Sequence, residues 1–416
     1  MPRIVFINRY FHPDQSATAQ LLADMTFGLA ANGWEIHVVC ARQLYEAPKA
    51  RLPARETVRG VLVHRIWTTR FGRSKLSGRA LDYISFHVSC SIALQRLLRR
   101  DDVVVAMTDP PLISIIAFAV ARLKRAILVN WLQDIFPEVA SRLGTNPLPA
   151  GFDKVLRYLR DVSLRAATMN VVLGSRMKEY VGSRHLPPES IRIMENWADA
   201  DLVRPQCARD SRLRAQLGLA EKFVVGYSGN LGRVHEYNTF VGAAELLRVD
   251  ERVAFLFIGG GVKMNGLKAV VAQRRLENFH FLPYQPRENL EDSLAAADVH
   301  LASLIPAMEG LIVPSKFYGI LAAGRPVIFV GDGNGELARV ICAAGCGLVV
   351  EADNAAKLSA AIRELQGDKD RRHAMGVAAR DLLCSKFSSK RALDGWATLL
   401  VDVQRRKPKD SRISHG

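Results

Sequence analysis

The sequence uses little cysteine, and without pattern. Cys40, Cys90, Cys207, Cys342, Cys346 and Cys384 include no Cys-x-x-Cys pair. That argues against a zinc site and against a disulfide framework, and points to a reducing compartment. Aromatic residues are only 7% of the chain and are not interleaved with Lys/Arg blocks, so no nucleic-acid groove is expected. The longest apolar run, residues 110–121, is too short to span a bilayer. The first residues run straight into a strand and lack the form of a signal peptide, so a cytoplasmic location is expected. Neither Gly-x-Gly-x-x-Gly nor Gly-x-x-x-x-Gly-Lys-Ser/Thr follows a strand, which disfavours a dinucleotide fingerprint or a P-loop. No metal-ligating cluster is apparent, and no metal or other cofactor is expected. Acidic residues are also scarce: 41 against 57 basic ones give a net charge of +16. This balance suits a phosphorylated substrate or an anionic membrane face.

What is present is a long alternation of strand and helix signals. At 416 residues, with 49% apolar and 24% charged content, the chain reads as globular with more than one core. Residues 3–8 form a buried-type strand. A helix follows that Ser16 can cap, with Leu21, Leu22, Met25 and Leu29 at helical spacing. After the Asn32-Gly33 stop comes a strand at 35–41. This βαβ unit predicts a parallel sheet. Further strands are expected at 60–67, 103–107, 126–131, 169–173 and 191–194. Residues 200–221 are polar and irregular and read as an interdomain linker. The alternation resumes with strands at 223–228, 254–258, 279–281, 299–304, 327–330 and 348–350. The expectation is α/β, with two doubly wound parallel-sheet domains at 1–200 and 201–386. A helix at 387–404 would pack back on the first domain, and a basic tail, 405–416, would end the chain.

Residues 79–100 read as an amphipathic helix. Leu81, Ile84, Val88, Ile92 and Leu97 form its apolar side, and Arg79, Arg96, Arg99 and Arg100 its basic side. The apolar side is expected to pack on the sheet. The basic side is either solvated or rests on a membrane surface.

In open parallel sheets, ligands bind beyond the carboxyl ends of the strands. Loops placed there run over 10–16, 108–111 and 133–138 in the first domain, and over 229–235, 259–261 and 309–316 in the second. The last opens the stretch 309–326, which reads as a loop entering a short helix with Pro314 in its first turn. Free N–H groups there, Ser315 and the charge of Lys316 would suit an anion. An ordinary strand–loop–helix unit with a solvated lysine reads equally well.

The pieces Tyr-Ser-Gly-Asn-Leu-Gly232, Phe-Ile-Gly-Gly-Gly261, Trp-Leu-Gln-Asp-Ile-Phe-Pro-Glu138, Asn-Trp-Ala-Asp199 and above all residues 313–326 carry a likeness over nearly the whole chain. It resembles retaining family-four glycosyltransferases of the GT-B fold, whose two Rossmann-like domains face a cleft. Within that group it is similar to bacterial enzymes of capsule, O-antigen and colanic-acid-type polysaccharide synthesis, including N-acetyl-fucosamine transferases. The resemblance implies a nucleotide-sugar donor, UDP-linked, and a lipid-linked saccharide acceptor at the inner membrane face. Donor phosphates would meet Gly229, Asn230, Gly232, Arg233, Gly260, Pro314, Ser315 and Lys316, with the base edged by Tyr284. Glu309 falls near the family's first glutamate, which touches the donor sugar, whereas its second falls on Gly319. Asp134 sits at a polar position between acceptor and donor sugar, with His12, Ser16 and Glu138 on the acceptor side.

Each of these residues also has a plainer reading. Asp134 can cap a helix, Glu138 can complement a helix dipole, and Arg233, His12 and His235 can be loop residues. Transfer would need stabilisation of the leaving phosphate by Lys316, Arg233 and fixed N–H groups, with no covalent carboxylate intermediate. A nucleotide-sugar epimerase of the same fold, or a basic non-catalytic binding protein, are the alternatives.

Overall fold

The structure is a computed structural model. It describes residues 3–45, 47, 49–72, 76–144 and 150–406. The expected tail beyond 406 and residues 73–75 lie outside the described residues. The chain forms two compact units, one up to Glu195 and resuming at Ala392, the other Asn196–Arg391.

The first unit holds strands β1 (Ile4–Ile7), β2 (Ile36–Ala41), β3 (Arg55–Val58), β4 (Val61–Ile66), β5 (Val103–Ala106), β6 (Ile127–Trp131), β7 (Met169–Val172) and β8 (Ile191–Ile193). Its helices are α1 (Ala17–Ala31), α2 (Leu76–Leu97), α3 (Ile113–Lys124), α4 (Glu138–Arg142), α5 (Ala150–Ala166) and α6 (Ser175–Gly182). The sheet order is β3-β4-β2-β1-β5-β6-β7-β8, and only β3 runs antiparallel. Continuous Val/Ile runs such as β1 and β5 are buried on both faces, as a helix-covered parallel sheet requires. The sequence reading missed β3. Its residues lie half out of the core, and the turn to β4 uses Arg59 and Gly60, both at positive φ. A two-residue hairpin turn of that geometry usually announces itself with Asn-Gly or Asp-Gly.

Helix α2 corrects an expectation. Phe86, Cys90, Leu94 and Leu98 face the sheet, and Leu81, Ile84, Val88 and Ile92 are exposed. The segment carries two apolar stripes, and the one holding the aromatic ring makes the core.

The second unit holds β9 (Phe223–Ser228), β10 (Val253–Ile258), β11 (Phe279–Leu282), β12 (Val299–Ser303), β13 (Val327–Gly331) and β14 (Gly347–Glu351). Its helices are α7 (Arg212–Gln216), α8 (Asn238–Leu246), α9 (Met264–Gln273), α10 (Leu290–Ala295), α11 (Lys316–Ala322), α12 (Glu336–Ala344), α13 (Ala355–Gly367) and α14 (Lys369–Leu382). All six strands pair in parallel, in the order β11-β10-β9-β12-β13-β14. The rings of Tyr227, Phe257, Phe279 and Phe281, with Tyr227 stacked on Phe257, pack on one face of the sheet. The expected linker is in fact packed into this unit. Asp292 accepts the N–H groups of Arg212 and Leu213, and buried Arg214 pairs with Asp298 at 2.9 Å. Polar composition here reflects side chains that pair, not a free connector.

A last helix, α15 (Ser389–Arg405), returns to the first unit. Its Trp396 is fully buried against Trp131, with ring centroids 4.6 Å apart, and near Phe6.

Candidate functional site

In the second unit the strand order reverses between β9 and β12. Their pairing covers only Val299 with Val225 and His300 with Gly226. Beyond Gly226 the two carboxyl ends part, which opens a crevice at the switch point. Gly226 fits there because a Cβ would stand 2.6 Å from that of Ala297.

Tyr227, fully buried near the end of β9, donates its hydroxyl to the Asn230 carbonyl at 3.1 Å. The Lys316 ammonium lies 4.9 Å from the centre of that ring and 2.8 Å from His235 Nε2. Burial pushes Lys316 down to about 7. His235 Nδ1 is 2.6 Å from the Ser303 carbonyl, and Lys263 Nζ donates to the His235 carbonyl at 2.6 Å. Burial, then the charge of Lys316, holds His235 well below its ordinary range. Among the described residues neither lysine pairs with a carboxylate in a salt bridge. A lysine end without a carboxylate partner at a strand end can accept an anionic ligand.

The glycine loops are packed on each other. The Gly229 and Leu231 amides donate to the Ile258 and Gly260 carbonyls at 2.8 and 2.7 Å. A Cβ on Gly259 would stand 2.3 Å from the Gly229 carbonyl oxygen, and one on Gly261 would stand 2.4 Å from Asn230 Oδ1. Gly229, Gly259 and Gly261 also have positive φ. Gly259 and Gly261 therefore serve loop-on-loop contact, not a ligand's close approach. The amides of Asn230, Gly232 and Gly260 stand outside these bonds. Tyr284 lays one ring edge over Gly260 and remains 43% exposed.

The remaining residues expected in this unit are placed as follows. Ser315 is exposed at the cap position of α11, without a side-chain cap bond. Pro314 is buried one residue before that cap, outside the first turn where it was expected, and its carbonyl accepts from Phe317. Arg233 is exposed. Glu309 turns to the start of α12, where its Oε2 accepts the Glu336 N–H at 3.1 Å.

In the first unit, Asp134 follows β6. Its Oδ1 is buried without a hydrogen-bond partner. Burial raises it to about 6, against a hydrogen bond from Thr108. Glu138 ties the start of α4 to α5 and α6. Arg160 grips it with both Nη atoms at 2.7 and 2.9 Å, and Arg157 and Tyr180 bind it at 3.0 and 2.7 Å. Burial, the largest single cause, would raise its carboxyl, but Arg160, Tyr180 and a main-chain hydrogen bond together outweigh it and the net shift is downward. His12 is exposed and meets the Phe27 ring edge-on at 5.6 Å. Ser16 stands at the cap position of α1 without capping, and its Oγ is buried and unpartnered. Asp14 accepts the Ser16 N–H instead, at 2.8 Å.

The family model described as glycosyl transferases group 1 matches residues 210–382, and that of a glycosyl transferase 4-like domain matches residues 17–197. A Pseudomonas aeruginosa protein named as a glycosyltransferase, WbjE, is 30% identical over 288 residues, 67% of this chain and 69% of its own. The chain belongs to the group 1 glycosyltransferases. A second relative is the Escherichia coli (strain K12) protein named as a colanic acid biosynthesis glycosyl transferase, WcaI. It is 26% identical over 370 residues, 85% of this chain and 89% of its own. Among solved structures, the sucrose-phosphate synthase of Thermosynechococcus elongatus superposes with a TM-score of 0.78 at 16% identity, over 97% of this chain and 99% of that one. Anabaena HepE in complex with UDP-glucose superposes with a TM-score of 0.71 at 15% identity, over 97% and 100%. The fold of this glycosyltransferase is GT-B, with one family match on each unit.

Sequence reasoning left His235 an open case and Tyr227 unassigned. No local signal could have joined His235 to Lys316, since 81 residues separate them.

Proposed function

We propose that this glycosyltransferase retains anomeric configuration and moves a sugar from a uridine-diphosphate donor, such as UDP-N-acetyl-fucosamine, to a lipid-linked oligosaccharide in bacterial surface polysaccharide synthesis. The observation that carries the reading is the Lys316 ammonium, lying without a carboxylate partner over Tyr227 at the crevice between β9 and β12. The name of WcaI supports a polysaccharide pathway, and the UDP-glucose held by HepE supports a uridine donor.

In this reading Lys316 and Arg233, with the amides of Asn230, Gly232 and Gly260, hold the diphosphate and stabilise the charge that grows on it as the glycosidic bond breaks. Ser315 adds a hydroxyl, and Tyr284 offers a ring face to the base. These cations make a metal unnecessary. The departing phosphate oxygen takes the acceptor proton on the same face of the sugar, so no carboxylate is glycosylated. Asp134 serves the acceptor side from the first unit, with His12 and Ser16 near the same strand ends.

The acceptor's lipid would keep the first unit at an anionic inner-membrane surface. No described helix is long and apolar enough to cross a membrane. The exposed Leu81, Ile84, Val88 and Ile92 of α2 support surface contact instead. The test is a thermal-shift panel of UDP, GDP, ADP and their sugars, followed by transfer to a lipid-linked acceptor with and without chelator. UDP compounds alone should raise Tm, and chelator should leave transfer intact. No shift with any nucleotide, or loss of transfer restored by Mg²⁺, would overturn the corresponding part.

A further inference from the structure

We infer that His235 is the positioning residue for Lys316, and that binding of a nucleoside diphosphate draws a proton onto Lys316 in the place His235 fixes. The inference rests on the reading of Lys316 as a diphosphate contact and adds what aims it.

The geometry settles the tautomer. His235 Nδ1 lies 2.6 Å from the Ser303 carbonyl oxygen, which can only accept, so Nδ1 carries the hydrogen. Nε2 is then a lone-pair acceptor, 2.8 Å from Lys316 Nζ. The imidazole is held from its backbone as well. The main-chain N–H of His235 donates to the Gly232 carbonyl at 3.2 Å, and its main-chain carbonyl accepts from Lys263 at 2.6 Å. Lys316 thus has one fixed acceptor, at the loop that follows β9.

Among the described residues, the groups facing Lys316 supply no negative charge. From β9 comes Tyr227, its hydroxyl engaged with Asn230; from the loop, His235; from the start of α9, Lys263 behind His235. Tyr284 acts on Tyr227, and Glu236, whose charge reaches Lys263, spends one carboxylate oxygen on the Thr239 N–H. With Lys316 near 7 and His235 far below its usual range, the empty site at neutral pH holds a neutral imidazole and a partly charged lysine. A diphosphate beside Nζ favours the ammonium, so binding takes up a proton from solvent.

The experiment is calorimetric titration of the full chain with UDP from pH 6 to pH 9, in buffers of different ionisation enthalpy. Wild type should take up a fraction of a proton at pH 8, and its Kd should weaken by up to about tenfold per pH unit above 7. His235→Asn keeps a donor for the Ser303 carbonyl but removes the acceptor for Lys316. It should bind UDP roughly fivefold more weakly at pH 8, with the weakening beginning at lower pH. His235→Gln, whose amide oxygen reaches the Nε2 position, should restore Kd to within about twofold. A purely structural histidine would lower Tm in both variants and leave the pH profile unmoved, which overturns the inference. UDP binding that requires Lys316, tested by Lys316→Met, but ignores His235 overturns it too. UDP binding that ignores Lys316 overturns the diphosphate reading itself.

Discussion

The Glu309 carboxylate accepts the main-chain N–H of Glu336, the first residue of α12, at 3.1 Å. A Cβ on the neighbouring Gly335 would stand 2.3 Å from Glu309 Oε1, so the glycine makes room for the acid. This is an anion at a helix N-terminus, worth about 1 kcal/mol. Glu309→Ala should lower Tm accordingly, and Glu309→Gln, which keeps an acceptor, should lower it less. If the helix start is the acid's whole role, the Gln variant keeps turnover within about tenfold. A loss of two orders of magnitude with Tm unchanged would place Glu309 on the donor sugar instead.

Burying Lys316 costs stability wherever its ammonium is protonated. Burial lowers it from 10.5 to about 7, so the folded state is penalised at pH values where the ammonium is protonated. That penalty is full below pH 7 and fades as pH rises from 7 towards the unfolded value. Lys316→Met should therefore raise Tm at pH 6 and show little gain at pH 10. The same variant should lose at least about a hundredfold in turnover, the scale of one lost charge-stabilising donor. Gain in stability with loss of activity is the pattern of a functional, not structural, lysine. Near-normal transfer would remove Lys316 from the mechanism.

Asp134 carries the opposite sign of linkage. Its carboxyl is raised from 3.8 to about 6, burial being the largest cause. The folded state therefore loses stability as pH climbs from about 4 to 6, where the carboxyl ionises in the unfolded chain but stays protonated when buried. The loss at neutral pH is up to about 3 kcal/mol. Asp134→Asn should be more stable than wild type at pH 7.5 and indistinguishable at pH 3.5. If Asp134 serves the acceptor, the Asn variant also loses transfer while its UDP-induced Tm shift is unchanged. Equal stability at both pH values would contradict the raised carboxyl.

The parallel strands were legible because burial on both faces leaves only apolar residues, as in Val103 to Ala106. β3 was not, since an edge strand of Arg55, Glu56, Thr57 and Val58 shows neither a buried run nor a turn signal. α2 was legible as a helix but not in its facing, because two stripes compete and only the sheet decides between them. Lys316 could be found from the motif around it. His235, Glu138 and Glu309 could not be understood alone, since the atoms that define them, on Ser303, Arg160 and Glu336, lie 22 to 68 residues away. The resemblance placed Gly260 at the donor, but what makes Gly259 and Gly261 glycine lies in the facing loop at Gly229 to Leu231, which no local signal announces.

The reversed face of α2 makes the membrane proposal specific. Leu81, Ile84, Val88 and Ile92 are 47% to 60% exposed, and α3, packed beside α2, adds Leu123 at 69%. α5, packed beside α3, adds exposed Phe152, Val155 and Tyr158. Exposed Arg96, Arg99, Arg100, Arg122 and Arg125 lie along α2 and α3 or just beyond their ends. Within α2 the one acidic residue, Asp82, is buried and engaged with Arg9 and with the amides of Phe71 and Gly72. Apolar residues with a cationic rim suit the boundary of an anionic bilayer, where each basic residue adds about 1 kcal/mol and salt screens it. Ile84→Asp with Val88→Asp should leave Tm unchanged, since neither side chain is in the core, yet cut recovery with phosphatidylglycerol vesicles at least about tenfold. Replacing Arg96, Arg99 and Arg100 with alanine should weaken binding to anionic vesicles and flatten its salt dependence. Recovery in the soluble fraction alike with neutral and anionic vesicles would refute membrane contact by this face.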